Sequence, residues 1–302
     1  MHVMLSAHAK LTMSNDSNTT NAISGNVPIN LFFLCLARNC EETIPLFFSY
    51  LDRLENSGFR CAGIVGENGS SDGTRKLLEQ KTGSRIELLD TVLMAEAPSR
   101  LVRMAIGRQA LLDWAKNRVR SDTYICVADL DNVMMAPPEP VFVRKAIELL
   151  ISDRTLFAIG ATSRPVYYDL LSLRTEGHDY SQLNAEIAHA KKNPLSYYRF
   201  HQQRMYKNQR LMTRPEPISC ASSFNGYCLY PADDYFLGSY RADNEADNCE
   251  HVSFNLSIAR ATGRRMLILP DLVIQTPADH GPVGFFRFWA DRIPQLFRRV
   301  KS

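Results

Sequence analysis

A chain of 302 residues, 45% hydrophobic and 22% charged, is long enough for one large α/β domain and has the composition of a protein that buries a core. Its net charge of +3 excludes a global field for nucleic acid, and no apolar run reaches the length of a membrane span. Seven scattered cysteines with no Cys-x-x-Cys pair exclude a paired zinc or redox motif and point to a reducing compartment.

Residues 1–28 are rich in Ser, Asn and Thr and read as a disordered segment. Met1–Lys10 lacks the apolar core of a signal peptide, so the expected location is cytoplasmic. Leu31–Leu36 is a continuous apolar run, as expected of a parallel strand buried on both faces, and it ends in Ala37-Arg38-Asn39. A helix is predicted over Thr43–Asn56, stopped by Gly58, then a strand over Phe59–Val65. Gly66–Thr74 is a turn-rich loop leading into a helix to Lys81, and Ile86–Leu89 is a third strand. The spacing of Leu101, Met104, Ala105, Ala110, Leu111 and Trp114 predicts one amphipathic helix over Ser99–Arg118.

Tyr124–Ala128 is the next strand, and it runs directly into Asp129-Leu130-Asp131. Two carboxylates one residue apart, at the carboxyl end of a strand, lie where open α/β sheets bind ligands. Hard oxygens there suit Mg²⁺ or Mn²⁺, which shares its remaining positions with water and substrate phosphates. Taken alone, the pair reads equally well as an ordinary strand end in which Asp131 caps the following turn. Strands alternating with helices argue a mostly parallel sheet through residue 131.

The second half is less regular. A helix at 140–152, a strand at Thr155–Ile159 and Tyr167-Tyr168-Asp169 precede a polar, helical stretch over 170–217. That stretch interleaves Lys and Arg with Tyr and Phe, but no nucleic-acid module surrounds it. The sheet resumes at Asn225–Tyr230 and an Asp/Asn loop runs to Asn248. A helix then opens at Glu250 and continues to Thr262, and short strands at Met266–Leu269 and Leu272–Gln275 end before Asp279-His280-Gly281. From residue 285 onward five basic residues face one acidic one, so this tail carries +4 and the rest of the chain −1.

Val65-Gly66-Glu67-Asn68-Gly69-Ser70-Ser71-Asp72-Gly73-Thr74 resembles the Asp-Asp-Gly-Ser-Thr-Asp-Gly-Thr loop of family 2 nucleotide-sugar glycosyltransferases, with Glu67 and Asn68 in place of the two leading Asp residues. Arg103, Arg108 and Ala110 look like that family's Arg-rich helix, and the Arg-Leu-Val-Arg-Met-Ala run is similar to fungal capsule-associated mannosyltransferases. The resemblance covers residues 30–135 well and 220–280 loosely. It implies a GT-A (Rossmann-like) α/β fold: a mostly parallel central sheet flanked by helices, with a nucleotide-sugar-binding half at 29–135 and an acceptor-binding half at 136–282.

It also implies roles. Asp129 and Asp131 form the metal site, with Asp131 the direct ligand and Asp129 reaching the ribose or a metal-bound water; His280 is a third candidate ligand. Leu36, Ala37, Arg38, Glu67, Arg103, Arg108 and Leu130, with Asp129, belong to the donor side. Glu250 and His251 stand where the inverting family carries a Glu-Asp pair, so either is the acceptor base, or the enzyme is retaining and both bind acceptor. Ser223, Asn225 and Gly226 fall on the acceptor side, as does the acidic Asp243–Asp247 stretch. The expected partners are a nucleotide-sugar donor, Mn²⁺ or Mg²⁺, and a glycan or lipid-linked acceptor in polysaccharide or glycoconjugate assembly, with transfer of a hexosyl group. Phe285, Phe286, Phe288 and Trp289 among basic residues make 283–302 a candidate peripheral contact with the inner face of a membrane. A sugar-phosphate nucleotidyltransferase is the alternative enzyme, although Leu36-Ala37-Arg38-Asn39 lacks that class's Gly-rich loop; a non-catalytic carbohydrate-binding protein is the alternative outside enzymes.

Overall fold

The computed structural model describes residues 27–290 apart from 82, 84, 98, 179, 241–248 and 279. The expected disordered segment, the acidic 243–247 stretch, Asp279 and the tail beyond residue 290 lie wholly or almost wholly outside the described residues.

Chain order is β1 (Ile29–Ala37), α1 (Ile44–Asn56), β2 (Phe59–Glu67), α2 (Thr74–Lys81), β3 (Ile86–Asp90), α3 (Arg100–Ala115), β4 (Thr123–Asp129), α4 (Pro140–Ser152) and β5 (Leu156–Arg164). There follow α5 (Leu183–Ala190), α6 (Pro194–Phe200), α7 (Tyr206–Leu211), β6 (Ile218–Cys220), β7 (Tyr227–Pro231), α8 (Ala232–Tyr235), α9 (Glu250–Thr262) and β8 (Arg265–Gln275). Among the described residues, the strands form one eight-stranded sheet in the order β3-β2-β1-β4-β7-β5-β8-β6. Strands β1 to β5 and β8 run in one direction, and only β7 and β6 oppose it. The α/β class with a mostly parallel sheet between helices is thus the one the sequence predicts.

Local signals place the helices. Ser99 accepts a hydrogen bond from the Val102 amide through its hydroxyl and starts α3. Gly263, at φ 67°, ends α9 in the left-handed conformation that a residue without Cβ adopts most easily. Because β1 is apolar at nearly every position, it is buried on both faces. Leu31, Phe33 and Cys35 face a core built with α1 and α4, while Leu34 joins a second core with Leu111 and Leu112 of α3 and Phe254 of α9. Each large apolar side chain fully buried in these layers contributes roughly 1.5–3 kcal/mol relative to exposure.

Two differences from the sequence reading have physical causes. The two short strands predicted at the end are one strand, β8, whose pairing with β5 slips where Ala161↔Leu269 gives way to Thr162↔Val273. Pro270 sits in that gap and has no amide proton for the ladder. The helical 170–217 stretch is broken into α5, α6 and α7, with a π-turn at His201–Met205 between the last two. Among the described residues, no helix is long and apolar enough to cross a membrane.

Candidate active site

Register brings the predicted residues together. Leu36 pairs with Asp129 and Ala37 with Glu67, so Arg38, Glu67 and Asp129 line up along one carboxyl edge of the sheet. Strand β7 enters antiparallel beside β4, with Tyr227 opposite Ala128, and the Asp129 amide donates to the Gly226 carbonyl at 3.0 Å. The edge of the first half is therefore completed by backbone from the second.

The donor rim is two loops tied together. Asn39, at φ 54°, donates its amide to Ser70 Oγ at 3.0 Å and accepts from the Ser71 amide through Oδ1 at 2.9 Å. The Cys40 amide donates to Thr74 Oγ1 at 2.7 Å, and Glu41 accepts from the Gly73 amide at 2.9 Å. Glu67 is buried within this rim. Burial opposes its ionisation, but hydrogen bonds from Ser70, Gly69 and Arg75 outweigh it and hold the carboxyl below its usual range. Both Glu67 oxygens are engaged, Oε1 by the Ser70 amide at 2.6 Å and Oε2 by Arg75 at 3.0 Å, so its observed work is to shape the loop. Arg103 donates to the Ala97 carbonyl at 3.2 Å and ties α3 to the chain before it, whereas Arg38 is exposed at the rim.

Asp131 is exposed, and its Oδ1 accepts from the Val133 amide at 3.4 Å, capping the short turn Asn132–Met135. Leu130 between the two carboxylates is 1% exposed and acts as an anchor, its carbonyl accepting from the Thr43 hydroxyl of the α1 entry. Asp129 is half-buried, with Oδ1 2.8 Å from Arg108 Nη2. Burial pushes its carboxyl up to about 7; Arg108 pulls the other way and the Asp131 charge adds to the rise.

Arg108 itself is 2% exposed. Rather than reaching outward as a fork for a diphosphate, its guanidinium lies between two carboxylates, with Nε 3.3 Å from Glu250 Oε1 at the start of α9. Burial alone would favour the neutral form, but Asp129 and Glu250 hold the guanidinium charged. The guanidinium carbon also stands 4.9 Å from the Phe224 ring centroid. His251 stacks on that same ring at 3.6 Å and 13°, and is 2% exposed. Burial, and then the Arg108 charge, drive its imidazole well below the usual histidine range, so it is neutral.

The remaining predicted residues are scaffold as much as surface. Ser223 is fully buried against Gly160, where a Cβ would meet its Oγ at 2.4 Å. Asn225 takes φ 51°, and its Oδ1 accepts from the Tyr168 and Asp169 amides at 3.3 and 3.2 Å. Gly226 takes φ 76°, and a Cβ there would meet Val133 at 2.6 Å and the Tyr168 hydroxyl at 2.7 Å. The His280 ring packs near Tyr168 at 5.4 Å, and its carbonyl accepts from Gln209 at 3.0 Å. Among the described residues, no three His, Cys, Asp or Glu side chains gather closely enough to hold a metal, so the expected set of Asp129, Asp131 and His280 is not formed. The carboxylate pair nevertheless suits a hard divalent cation that takes its other oxygens from water and a diphosphate.

Sequence reasoning missed Tyr168, Asp169 and Asn255, and it set Phe224 only within the 222–226 stretch on the acceptor side, not against Arg108 and His251. The Asn255 amide holds Ser222 Oγ and the Ser223 carbonyl at 3.1 and 3.0 Å. Asp169 accepts from the Ser172 and Asn225 amides, and its charge adds to the field of Asp129 and Asp131 at Tyr168. For Phe224 and Asn255 the available signal was proximity in sequence to Ser223-Asn225 and to Glu250; Tyr168 and Asp169 lie 57 and 56 residues before Asn225 and carried none.

No protein-family model matches the chain, and no curated protein sequence does either. Among solved structures, a mannosyltransferase from Pyrobaculum calidifontis in complex with GDP-Man and Mn²⁺ aligns at 16% identity over 91% of this chain and 65% of that one, with a TM-score of 0.46. Glucosyl-3-phosphoglycerate synthase from Mycobacterium tuberculosis, in complex with Mn²⁺, uridine diphosphate and phosphoglyceric acid, aligns at 13% identity over 87% of this chain and 74% of that one, with a TM-score of 0.44. The same synthase with Mg²⁺ and uridine diphosphate gives 13%, 87%, 75% and 0.43. The site is therefore read from its own geometry.

Proposed function

We propose that the chain is a GT-A-type glycosyltransferase that moves a hexosyl group from a nucleotide-sugar to an acceptor hydroxyl with a divalent cation, Mn²⁺ or Mg²⁺. The observation that carries this reading is the convergence, at one carboxyl edge, of the Asp129-Leu130-Asp131 strand end with Glu250 from the second half, joined through Arg108. Asp129 and Asp131 would hold the cation, which when bound would supply electrostatic stabilisation of the charge on the departing nucleoside diphosphate. Thr43 fixes the Leu130 carbonyl and so keeps both carboxylates aimed at the edge. The Leu36-Ala37 backbone and exposed Arg38 line the donor side, and the Asn225-Gly226 corner lines the acceptor side. The His280 ring packs on Tyr168 and is not gathered with Asp129 and Asp131 into a metal-holding group among the described residues.

The similarity of the α3 sequence to fungal capsule-associated mannosyltransferases suggests a mannosyl donor and a role in surface polysaccharide assembly. A cytoplasmic protein that touches a membrane face fits the aromatic, basic residues after Gly284. One observation favours a second reading: Glu250 and His251 are 8% and 2% exposed, and neither is an open proton acceptor in this state. A carbohydrate-binding protein without turnover would look the same.

A panel of nucleotide-sugars with Mn²⁺ and Mg²⁺, offered with glycan acceptors, decides between them. Release of nucleoside diphosphate that requires the metal and is abolished by Asp131→Ala is the expected result. Tight nucleotide-sugar binding with no turnover across the panel would establish the binding protein, and pyrophosphate-dependent breakdown of the donor would establish a nucleotidyltransferase.

A further inference from the structure

We infer that Arg108 is a positioning residue that couples Glu250 to Asp129, so that the acceptor-side carboxylate sets how strongly the edge carboxylates hold a divalent cation. The inference rests on the metal-dependent reading for its chemistry and on the buried cluster for its mechanism. Two different nitrogens of one guanidinium serve the two carboxylates: Nη2 meets Asp129 at 2.8 Å and Nε meets Glu250 at 3.3 Å. Its third nitrogen, Nη1, is buried and has no hydrogen-bond partner among the described residues. The charge is therefore shared between two acceptors rather than committed to one. A planar guanidinium is suited to that, because its donors are fixed relative to one another and satisfy separated partners at once.

The surroundings keep this sharing rigid. Phe224 covers the guanidinium, and neutral His251 stacks on the same ring, adding no charge to the cluster. Arg108 comes from α3, Asp129 from β4 and Glu250 from the first turn of α9, so the cluster spans both halves of the chain. The Glu250 carboxylate draws part of the Arg108 charge away from Asp129, which leaves the Asp129 carboxylate available to a cation. With an uncharged amide in place of Glu250, the whole guanidinium charge falls on Asp129 and competes with the metal. Outer partners of metal ligands typically tune affinity by about 10–100-fold, which sets the scale of the effect.

The test is Mn²⁺ binding, followed by the loss of the free-ion electron paramagnetic resonance signal, on the full-length protein with the metal alone as probe. Glu250→Gln is nearly isosteric and keeps an oxygen for Arg108 Nε; it should weaken Mn²⁺ binding about tenfold. In an Arg108→Lys background a single ammonium does not occupy both nitrogen positions, so adding Glu250→Gln there should change affinity by less than about twofold. If Glu250→Gln does not fold, Glu250→Asp, which shortens the contact, should weaken binding several-fold. Unchanged Mn²⁺ affinity in the Glu250 variant overturns the coupling and leaves the proposed function standing. An equal loss in both backgrounds also overturns it, because the effect would then pass directly through space. A wild type that shows the coupling but releases no nucleoside diphosphate overturns the glycosyltransferase reading and not the coupling, whereas a wild type that binds no Mn²⁺ overturns both.

Discussion

Burial disfavours charge, and at His251 and Asp129 it does so in opposite chemical directions: the imidazole is driven down and the carboxyl up. For His251 the folded-state value lies below the unfolded one, so the unfolded chain takes up the proton first. Its contribution to stability is fully present above pH ~6.5 and is lost as the pH falls below that value. The stability difference between wild type and His251→Gln, measured by urea unfolding, should therefore shrink from pH 7 to pH 5. A constant difference would place the proton elsewhere. Phe224 is the mechanical partner of the same cluster. Phe224→Ala removes the stack with His251 and the cover over Arg108, and should cost about 3–5 kcal/mol. At this scale the two aspartates were legible in the sequence because an apolar strand ends on them abruptly. Phe224 and Asn255 were not, because their meaning lies in partners from distant segments that no local pattern announces. The Arg108 helix was visible, but not that its guanidinium turns inward.

Among elements, the parallel half was readable nearly to the residue. Continuous apolar strands and amphipathic helices leave few other solutions, and the predicted Thr43–Asn56 helix is α1, Ile44–Asn56. The reversal of β7 was not readable, because an apolar strand carries no mark of its direction. The entry to β7 depends on Asn225 and Gly226 in left-handed conformations, and the Gly226 position has no room for a Cβ beside Val133 and Tyr168. Gly226→Ala should destabilise by roughly 1–3 kcal/mol and disturb the 3.0 Å bond from the Asp129 amide. Thermal unfolding reports the first effect and Mn²⁺ affinity the second. An alanine variant with wild-type melting and affinity would show that the corner is not under this constraint.

At the scale of the whole molecule, the aromatic residues before the chain end divide into two sets. Phe288 is buried against Tyr197, Tyr198 and His201 of the α6 segment, while Phe285 and Phe286 are 49% and 87% exposed. Docking by Phe288 thus leaves Phe286 facing outward near Arg287, with Phe285 half-exposed and edge-on to Tyr198 at 5.1 Å. Full-length protein should pellet with vesicles containing anionic phosphatidylserine, and Phe285→Ser/Phe286→Ser should reduce that binding without changing the melting temperature, since neither ring is in the core. Equal pelleting would remove the membrane contact from the functional reading. The sequence made the tail visible through composition alone; which rings pack and which project depends on the fold.

The position of β7 also has a consequence during synthesis. Strand β4 lies between β1 and β7, and β7 comes from residues 227–231, long after β4 has left the ribosome. Until then the flank of β4 that ends in the aspartate pair presents unpaired backbone groups to any other strand nearby. Chains that emerge amino terminus first fold by units, and an open apolar edge is where such intermediates associate. A ribosome pause placed between the codons for β4 and β7 should therefore lower soluble yield more than one placed after β8.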